Sequence, residues 1–323
     1  MIKQHIAVIG AGIAGLRCAT VLQIAGHTVD LFDKGRGIGG RLSTRRNDLW
    51  QCDHGAQYFT ARDPDFILQT EQWIETGVVA IWEPVLQVYQ AGQWSSPQGT
   101  LKRFVGIPGM SAPARAMAQP LSVQTSTTIQ SMSHTSEGWR LTSTEHGLLP
   151  SYYSKIVFAI PPIQVATILG THSKKISAVT DSVLMQPCWT VMMQFDAPID
   201  MPFDAAFINT GPLSWVARNS SKPFRKGLES WVMHATPVWT QAHLERKPEE
   251  IGTLVIEAFQ SLGGPQPATW SAHRWRYASS DPSITQGSVW DAETGIGICG
   301  DWLNGGRVEG AWLSGQALAR DIG

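Results

Sequence analysis

The N-terminal segment carries a glycine triplet between an aliphatic run and a helix-forming stretch. Ile6 to Ile9 is continuously aliphatic, which is typical of a parallel strand buried on both faces. The triplet Gly10-x-Gly12-x-x-Gly15 follows at once. In this pattern the first glycine forms a tight turn, the second lets the backbone approach a pyrophosphate, and the third lets helix and strand pack closely. The sequence therefore predicts a strand–turn–helix unit that binds a dinucleotide.

A helix from about Ala14 to Ala25 and a second strand from Val29 to Phe32 complete the predicted unit. The N–H groups at the start of this helix and the positive end of its dipole would face the phosphates. The second strand ends on Asp33, and an acidic side chain at this distance from the glycines can accept hydrogen bonds from an adenosine ribose. This unit alone does not distinguish NAD from FAD.

Two further segments favour FAD. A second glycine-rich block lies at residues 36–41 (RGIGGR), and the C-terminal segment 296–311 contains a short apolar run followed by Gly300 and Asp301. An acid just after a strand lies where an open α/β sheet meets its ligand. A helix beginning near Val308 would direct its dipole at a flavin ring and stabilise negative charge there. Both halves in this order point to FAD, and so to redox chemistry.

Composition excludes several other classes of protein. The chain has 323 residues, 43% hydrophobic and 16% charged, which is typical of a globular protein. A net charge of −1 gives no reason to expect a nucleic acid or an anionic membrane as partner. The longest apolar stretch, Ile6 to Leu16, is too short to span a bilayer, and no signal peptide fits ahead of it. Four scattered cysteines favour neither a metal site nor a disulfide framework, so we expect a cytoplasmic protein. The sequence does not determine the oligomeric state.

The middle of the chain predicts a second domain. Segments 123–129, 138–142 and 152–159 alternate apolar and polar residues, which is typical of an antiparallel meander, and Pro161-Pro162 ends the last of them. The following stretch alternates helical pieces with strands, such as 190–195 and 230–234. We therefore predict an α/β fold in which a Rossmann-type FAD-binding domain contains an inserted α+β substrate domain. The predicted boundaries are 1–65, 97–162 and 286–323 for the FAD-binding domain, and 66–96 and 163–285 for the substrate domain.

Several stretches outside the glycine motifs resemble the bacterial renalase-like flavoproteins of the amine-oxidase group. They are 53–63 (DHGAQYFTARD), 106–112 (GIPGMSA), 216–223 (VARNSSKP), 231–239 (WVMHATPVW), 273–278 (HRWRYA) and 300–315. The block at 36–41 is similar to the second block of glutathione-reductase-like and amine-oxidase-like flavoproteins. The resemblance implies a fold like that of p-hydroxybenzoate hydroxylase and non-covalent FAD. It also implies that Arg41 lies near the pyrophosphate and flavin, and that Asp301 binds the ribityl chain.

The activity that this resemblance implies is the oxidation of misplaced dihydronicotinamide isomers. These are 1,2- or 1,6-dihydro-NAD(P), which would return to NAD(P)+ by hydride transfer to flavin N5, with O2 taking the electrons and yielding H2O2. Two positions depart from true amine oxidases. Their lysine near flavin N5 is matched by Thr190, and their tyrosine before the C-terminal helix is matched by Arg307. A cationic Arg307 would repel a protonated amine and suit a phosphate-bearing or electron-rich substrate.

Hydride transfer from a dihydropyridine needs little acid–base help, so the predicted site chiefly holds the ring flat and excludes water. His54 has no partner near it in sequence and is not assigned an acid–base role. The predicted catalytic residues are His234, Trp275, Tyr58 and Arg307, and the arginines predicted to meet substrate phosphates are Arg62, Arg218 and Arg276. The residues predicted to bind the cofactor are Gly10, Gly12, Ile13, Ala14, Gly15, Asp33, Lys34, Gly40, Arg41, Gly55, Ala56, Gln57, Tyr58, Ile129, Asp301, Val308 and Ala311.

Three alternatives stay open from the sequence. The first is a flavin-containing amine oxidase, which would turn over simple amines. The second is an aromatic hydroxylase of the same fold, whose flavin ordinary NADPH would reduce in the presence of a phenol. The third is a non-enzymatic flavin sensor, whose flavin no pyridine nucleotide would reduce.

Overall fold

The computed structural model describes residues 3–47, 49–97, 99, 101–282 and 284–323. Its helices are α1 Ile13–Ile24, α2 Pro64–Glu75, α3 Ala112–Ala118, α4 Pro162–Leu169, α5 Lys174–Asp181, α6 Pro237–Ala242, α7 Pro248–Gln260 and α8 Val308–Ile322. Its strands are β1 His5–Ile9, β2 Thr28–Phe32, β3 Thr44–Arg46, β4 Gln51–Asp53, β5 Val79–Trp82, β6 Leu86–Gln90, β7 Gln93–Ser95, β8 Arg103–Gly106, β9 Val123–Gln124, β10 Ile129–Thr135, β11 Gly138–Ser143, β12 Gly147–Leu148, β13 Lys155–Phe158, β14 Leu184–Phe195, β15 Ala205–Ile208, β16 Leu213–Arg218, β17 Glu229–Ala235, β18 Thr269–Asp281, β19 Ser288–Asp291 and β20 Ile296–Cys299.

A six-stranded sheet joins the two ends of the chain, in the order β19-β20-β13-β1-β2-β9. All its pairings are parallel except that of β19 with β20. Because β1 and β20 both run parallel to β13 between them, the glycine loop and Asp301 leave the sheet at the same edge. The predicted α/β fold with a Rossmann-type domain is therefore confirmed.

Helices α1 and α8, which follow the two strands, pack closely against each other. A Cβ at Gly315 in α8 would lie only 2.1 Å from the carbonyl oxygen of Ala14 in α1. A side chain at this position would push the helices apart, so glycine allows the close approach. This contact fixes the start of α1 relative to the C-terminal segment.

The predicted antiparallel meander is wrong in two of its three strands. β13, expected in the meander, lies in the parallel sheet, since Ile156, Val157 and Phe158 are all buried and need apolar cover on both faces. β9 likewise pairs in parallel with β2. The antiparallel sheet that does form is β10-β11-β12, and it retains the predicted strand at 138–142.

A seven-stranded sheet lies in the second half of the chain, in the order β18-β14-β17-β16-β15-β6-β7. Side chains alternate between its two faces along β14. Val191 and Met193 pack with Phe259 of α7 in one core cluster, whereas Met192 belongs to the cluster that includes Leu42 and other residues of the glycine-rich end. The second face is therefore turned toward the Rossmann-type part. No helix of the described chain is long and apolar enough to cross a membrane.

The domain division 1–65, 97–162 and 286–323 against 66–96 and 163–285 stays a prediction. Within 66–96, only β6 and β7 join the seven-stranded sheet. β5 pairs with β8, and α2 packs against α8, with the rings of Phe66 and Trp312 5.5 Å apart. This segment therefore contacts α8 at its start and joins the seven-stranded sheet at its end.

Candidate functional site

The glycine loop has the shape that a pyrophosphate requires. A Cβ at Gly10 would lie 2.5 Å from the Ala159 carbonyl oxygen, and one at Gly15 would lie 1.9 Å from the carbonyl oxygen of Gly10, so neither position accepts a side chain. A Cβ at Gly12 would instead meet no atom within 4 Å. Gly12 caps α1 without any side-chain hydrogen bond, and no acidic residue lies in the first turn. The first helical N–H groups therefore face open space and can bind an anion.

Asp33 holds this loop in place. One carboxylate oxygen accepts the Ala11 N–H at 2.7 Å and the other accepts the Gly35 N–H at 2.7 Å. Each oxygen keeps a further lone pair for a ribose hydroxyl. Of the other residues predicted for this end, Lys34 is exposed, whereas Ile129 is buried in a core cluster with Phe32.

Arg41 and Asp301 bring the two half-sites together. The guanidinium donates to both Asp301 oxygens, at 2.9 and 2.5 Å, although 260 positions separate the residues. Gly40 lies beside the glycine loop, where an added Cβ would be 3.7 Å from Cα of Gly12. This bidentate pair places one cation and one anion next to the predicted phosphate site.

The N-terminus of α8 forms the far side of the same region. Arg307 is its cap residue, makes no side-chain capping bond and is exposed, in an open cleft of about 330 Å³ that Glu309 also lines. Glu309 in the first turn accepts the backbone N–H groups of Arg62 and Asp63, at 2.6 and 2.7 Å. Val308 and Ala311 are half-buried at the start of this helix. The dipole of α8 is thus free to act on a bound group.

The segment after β4 passes directly against Arg41. The Ala56 N–H donates to the Arg41 carbonyl oxygen at 2.8 Å, and a Cβ at Gly55 would lie 2.0 Å from that oxygen. Only glycine permits this approach. The same segment carries His54, Gln57 and Tyr58 toward the seven-stranded sheet.

On the facing side of that sheet, four side chains form a row across neighbouring strands. Trp215 pairs with His234, His234 with Thr190, and Thr190 with His273. Laterally paired residues point to the same face, so these four side chains lie next to one another. We call them the sheet-face row. Tyr58 packs beside this row, with its ring 5.7 Å from that of Trp215.

His54 and Trp275 close the other side of the sheet-face row. The His54 ring lies 4.8 Å from His273 and is stacked on Trp275 at 5.2 Å, while the indole N–H of Trp275 donates to the His54 carbonyl oxygen at 2.9 Å. Two buried nitrogen atoms at opposite ends of the row, His54 Nδ1 beside His273 and Trp215 Nε1, have no hydrogen-bond partner among the described residues. Orphaned polar atoms in a ring-lined space indicate that a ligand completes the site.

The three histidines are neutral at pH 7. Burial, together with His273 and Arg45, lowers the pKa of His54 to about 3. Burial and the nearby Lys222 cation lower the pKa of His234 to about 4. Burial and Arg45 also lower the pKa of His273. Among the described residues no histidine, cysteine or carboxylate group is arranged to hold a metal ion.

A fully buried ion cluster lies behind this surface. The Asp53 carboxylate accepts from Lys222 at 3.2 Å and from Arg225 at 2.6 Å, and from the Thr44 hydroxyl and the Met110 N–H. Burial would raise the pKa of Asp53, but these cations and hydrogen bonds lower it to about 2. Sequence reasoning missed Lys222 and Arg225, although the stretch 216–223 had been singled out. The only local signal is Lys222, just before the proline that ends this stretch.

The predicted site residues are only partly brought together. His234, Tyr58, Trp275 and Gln57 meet around the sheet-face row, whereas no hydrogen bond or ion pair joins Arg307 to them in the described chain.

The arginines predicted for substrate phosphates do not converge. Arg62 is exposed, Arg276 is paired with Glu245 at the surface, and Arg218 is paired with Asp204 and Glu229. Arg45 is exposed, has no ion-pair partner among the described residues, and lies close enough to lower the pKa of His54 and His273.

These features fit FAD. The open, uncapped start of α1 can take the pyrophosphate, the oxygens of Asp33 a ribose, and the region between Arg41, Asp301 and the start of α8 the ribityl chain and ring. The fold and the site therefore define a flavin-dependent oxidoreductase.

Comparisons with known proteins give the family. A model of the flavin-containing amine oxidoreductases matches residues 86–323, and one of NAD(P)-binding Rossmann-like domains matches residues 8–67. The chain belongs to the flavin-containing amine oxidoreductase family, and its cofactor is FAD.

Curated relatives match only a short part of the chain. The L-amino-acid oxidase of Siganus canaliculatus is 46% identical over 56 residues, which are 17% of this chain and 11% of that protein. The L-amino-acid oxidase of Notechis scutatus scutatus is 49% identical over 54 residues, or 16% and 10%. The matched part thus spans about a tenth of the length of these relatives.

Solved structures share the fold over the whole chain. A protein assigned as a protoporphyrinogen oxidase in Exiguobacterium sp. 255-15 superposes with a TM-score of 0.80 at 12% identity, over 100% of this chain and 99% of that one. Cyclohexylamine oxidase from Brevibacterium oxydans IH-35A gives 0.75 at 14%, over 99% of both chains. Putrescine oxidase bound to putrescine gives 0.74 at 14%, also over 99% of both. At such identities the likeness concerns the fold alone.

Proposed function

We propose that this protein is renalase-like and oxidises 1,2- or 1,6-dihydro-NAD(P) to NAD(P)+, using non-covalently bound FAD and O2. The observation that carries the proposal is the ring-lined space between the sheet-face row and the segment His54–Tyr58. It combines flat aromatic side chains with neutral imidazoles and two orphaned nitrogen atoms. A planar dihydropyridine can be held flat there, and its carboxamide can meet one of the orphaned atoms.

The chain's own residues would supply orientation and exclusion of water. When bound, FAD would accept the hydride and pass the electrons to O2. The indole of Trp275, fixed by its hydrogen bond to the His54 carbonyl, forms one wall of the space, and Trp215 with Tyr58 forms the other. Arg45 at the exposed edge is the cation best placed for a substrate phosphate. The start of α8 favours negative charge on a reduced ring.

Thr190 lies between His234 and His273 in the sheet-face row, at the position that corresponds to the lysine of amine oxidases in the resemblance described above. Its hydroxyl is neutral and buried. A dihydropyridine expels hydride with help from its own ring nitrogen, so the site need not supply a base. Family membership favours the second candidate, oxidation of an amine, and the experiment must separate the two.

The test is anaerobic stopped-flow reduction of the FAD-loaded protein. We expect rapid loss of flavin absorbance with the 1,2- or 1,6-isomer and not with ordinary 1,4-NADH, putrescine or cyclohexylamine. Bleaching by either amine and by no isomer would replace the proposal with amine oxidation. Release of intact FAD on acid precipitation checks the non-covalent link.

The matched variants are Trp275→Ala and Trp94→Ala. Trp275→Ala removes one wall of the space and should raise KM at least about fivefold while FAD stays bound, because a buried aromatic contact contributes about 1 kcal/mol or more. Trp94 lies on strand β7 at the far edge of the seven-stranded sheet and is 40% exposed. Its replacement should leave the kinetics unchanged. Equal kinetics for the two variants would exclude the proposed wall.

A further inference from the structure

The protonation state of His234 is governed by a chain of polar contacts that begins in the buried ion cluster. Lys222 Nζ donates to Gln57 Oε1 at 3.1 Å, and Gln57 Nε2 lies 3.5 Å from Nε2 of His234. Lys222 is fully buried and Gln57 nearly so. We call these three residues the Lys222–Gln57–His234 chain.

The orientation of the Gln57 amide is determined from both sides. Its oxygen faces the Lys222 ammonium, while its NH2 group donates to the carbonyl oxygens of Asp53 and Gly55, at 2.6 and 3.0 Å. A flipped amide would place NH2 against an ammonium and its oxygen against two carbonyl oxygens. That arrangement loses three hydrogen bonds and gains repulsion, so only one orientation is stable.

This orientation decides which nitrogen of His234 carries the proton. Both amide hydrogens of Gln57 are directed at the carbonyl oxygens of Asp53 and Gly55, so the NH2 group that faces Nε2 has no lone pair to accept a proton from it. An N–H at Nε2 would point at this NH2 group and be repelled by it. The contact between Gln57 Nε2 and His234 Nε2, at 3.5 Å, is the longest that the amide makes. It therefore influences which nitrogen of His234 is protonated more than it contributes a strong hydrogen bond. The remaining proton must then lie on Nδ1.

Burial and the Lys222 cation favour the neutral form of His234, and together they outweigh a hydrogen bond with the His54 backbone, which favours the protonated form. Lys222 is cationic beside Asp53, while His54 and His273 on the neighbouring segment and strand are neutral. Thr190 is an uncharged neighbour in the sheet-face row. We propose that Lys222 and Gln57 are positioning residues that hold His234 as the neutral Nδ1–H tautomer in the substrate space.

This inference rests on the proposed function for its purpose. Oxidation of a dihydropyridine creates a pyridinium cation, and a protonated imidazole beside it would oppose the developing charge. Holding His234 neutral removes that repulsion throughout the physiological range. The inference about tautomer and charge itself can be tested without any substrate.

The experiment is NMR of the FAD-loaded protein labelled with 15N-histidine, with His234 assigned from the missing signals of His234→Asn. In the wild type we expect His234 to have a protonated Nδ1 and an unprotonated Nε2, and not to titrate above about pH 5. Gln57→Glu keeps the size of the side chain but places an acceptor opposite Nε2, so the pKa of His234 should rise by at least about one unit. Lys222→Met should also raise it, because a nearby cation is removed.

The matched control is Gln93→Glu, the same change on an exposed edge strand of the same sheet, which should leave the His234 signals unmoved. An unprotonated Nδ1 of His234 in the wild type, or an unchanged pKa of His234 in Gln57→Glu, would overturn the inference. If neither variant folds, the tautomer of His234 measured in the wild type still tests the inference. Failure of every dihydronicotinamide isomer to reduce the flavin, with these NMR results intact, would refute the proposed function and leave the Lys222–Gln57–His234 chain standing.

Discussion

The buried ion cluster makes a quantitative prediction about stability. Asp53→Asn removes the only anion between the ammonium of Lys222 and the guanidinium of Arg225 among the described residues, and both cations are buried. Removing one partner of a buried pair typically costs about 3–5 kcal/mol, since the remaining charge has neither water nor counter-ion. Asparagine can still accept from Thr44 and Met110, so the loss comes mainly from charge.

The pKa of Asp53 gives a second, independent magnitude. It falls from 3.8 to about 2 on folding, which corresponds to about 2 kcal/mol of stability at neutral pH. Because the folded pKa is the lower one, this contribution is present above about pH 4 and is lost as the pH falls toward 2. Asp53→Asn should lack this pH dependence. The difference in the free energy of unfolding between the variant and the wild type should therefore become smaller below about pH 4.

The assay is urea unfolding followed by tryptophan fluorescence at a fixed, saturating FAD concentration, because bound cofactor adds to apparent stability. The control is Asp65→Asn, which breaks an exposed ion pair with Arg320 and should cost no more than about 1 kcal/mol. If Asp53→Asn costs no more than Asp65→Asn at pH 7, the reasoning about the buried cluster is wrong. A double variant that adds Lys222→Met should recover part of the loss, since it removes one of the two stranded cations.

Two further predictions concern the cofactor and substrate sites. Gly12→Val fills the open space before α1 and should weaken FAD binding at least about tenfold in a fluorescence titration, with the Tm of the apoprotein unchanged. Gly15→Ala should instead lower the Tm of the apoprotein, because its Cβ would lie 1.9 Å from the Gly10 carbonyl oxygen. Arg45→Gln should raise KM for the dihydro-NAD isomers about tenfold without changing kcat, because a charge-assisted contact is worth about 1.5–3 kcal/mol. Arg276→Gln, which loses only a surface pair with Glu245, should not. Equal KM values for the two arginine variants would contradict the placement of the substrate phosphates near Arg45.

The dinucleotide-binding part could be predicted because each of its signals has a local steric cause. Gly10 and Gly15 are glycines since backbone atoms lie where a Cβ would be, and α8 begins at Val308 as the sequence predicts. β13 was misplaced because four residues of apolar sequence do not reveal whether a strand is covered on one face or on two. That depends on β1 and β20, which lie far away in the chain.

The candidate site was harder to predict because its contacts join distant segments. His234, Trp275 and Tyr58 were predicted from motifs, and the motifs give no distances between them. Lys222 lies 169 positions from the Asp53 that neutralises it, and in sequence a lysine before a proline resembles a surface charge. The pairing of Arg276 with Glu245 is equally invisible in sequence, which is why a surface arginine was expected to meet phosphate.

The charge distribution around the sheet-face row bears on the choice between a dihydropyridine and an amine. A protonated amine must lose a proton before its carbon can release hydride, and a useful base has a pKa near the working pH. His234 and His54, at about 4 and 3, are weak bases at pH 7, and Thr190 is not a base at all. Among the described residues, the only buried ammonium near the row belongs to Lys222, and it is engaged by Asp53 and Gln57. A dihydropyridine arrives neutral and releases hydride with its own lone pair. A site whose titratable groups are all held in their inactive forms is therefore better matched to that substrate than to an amine.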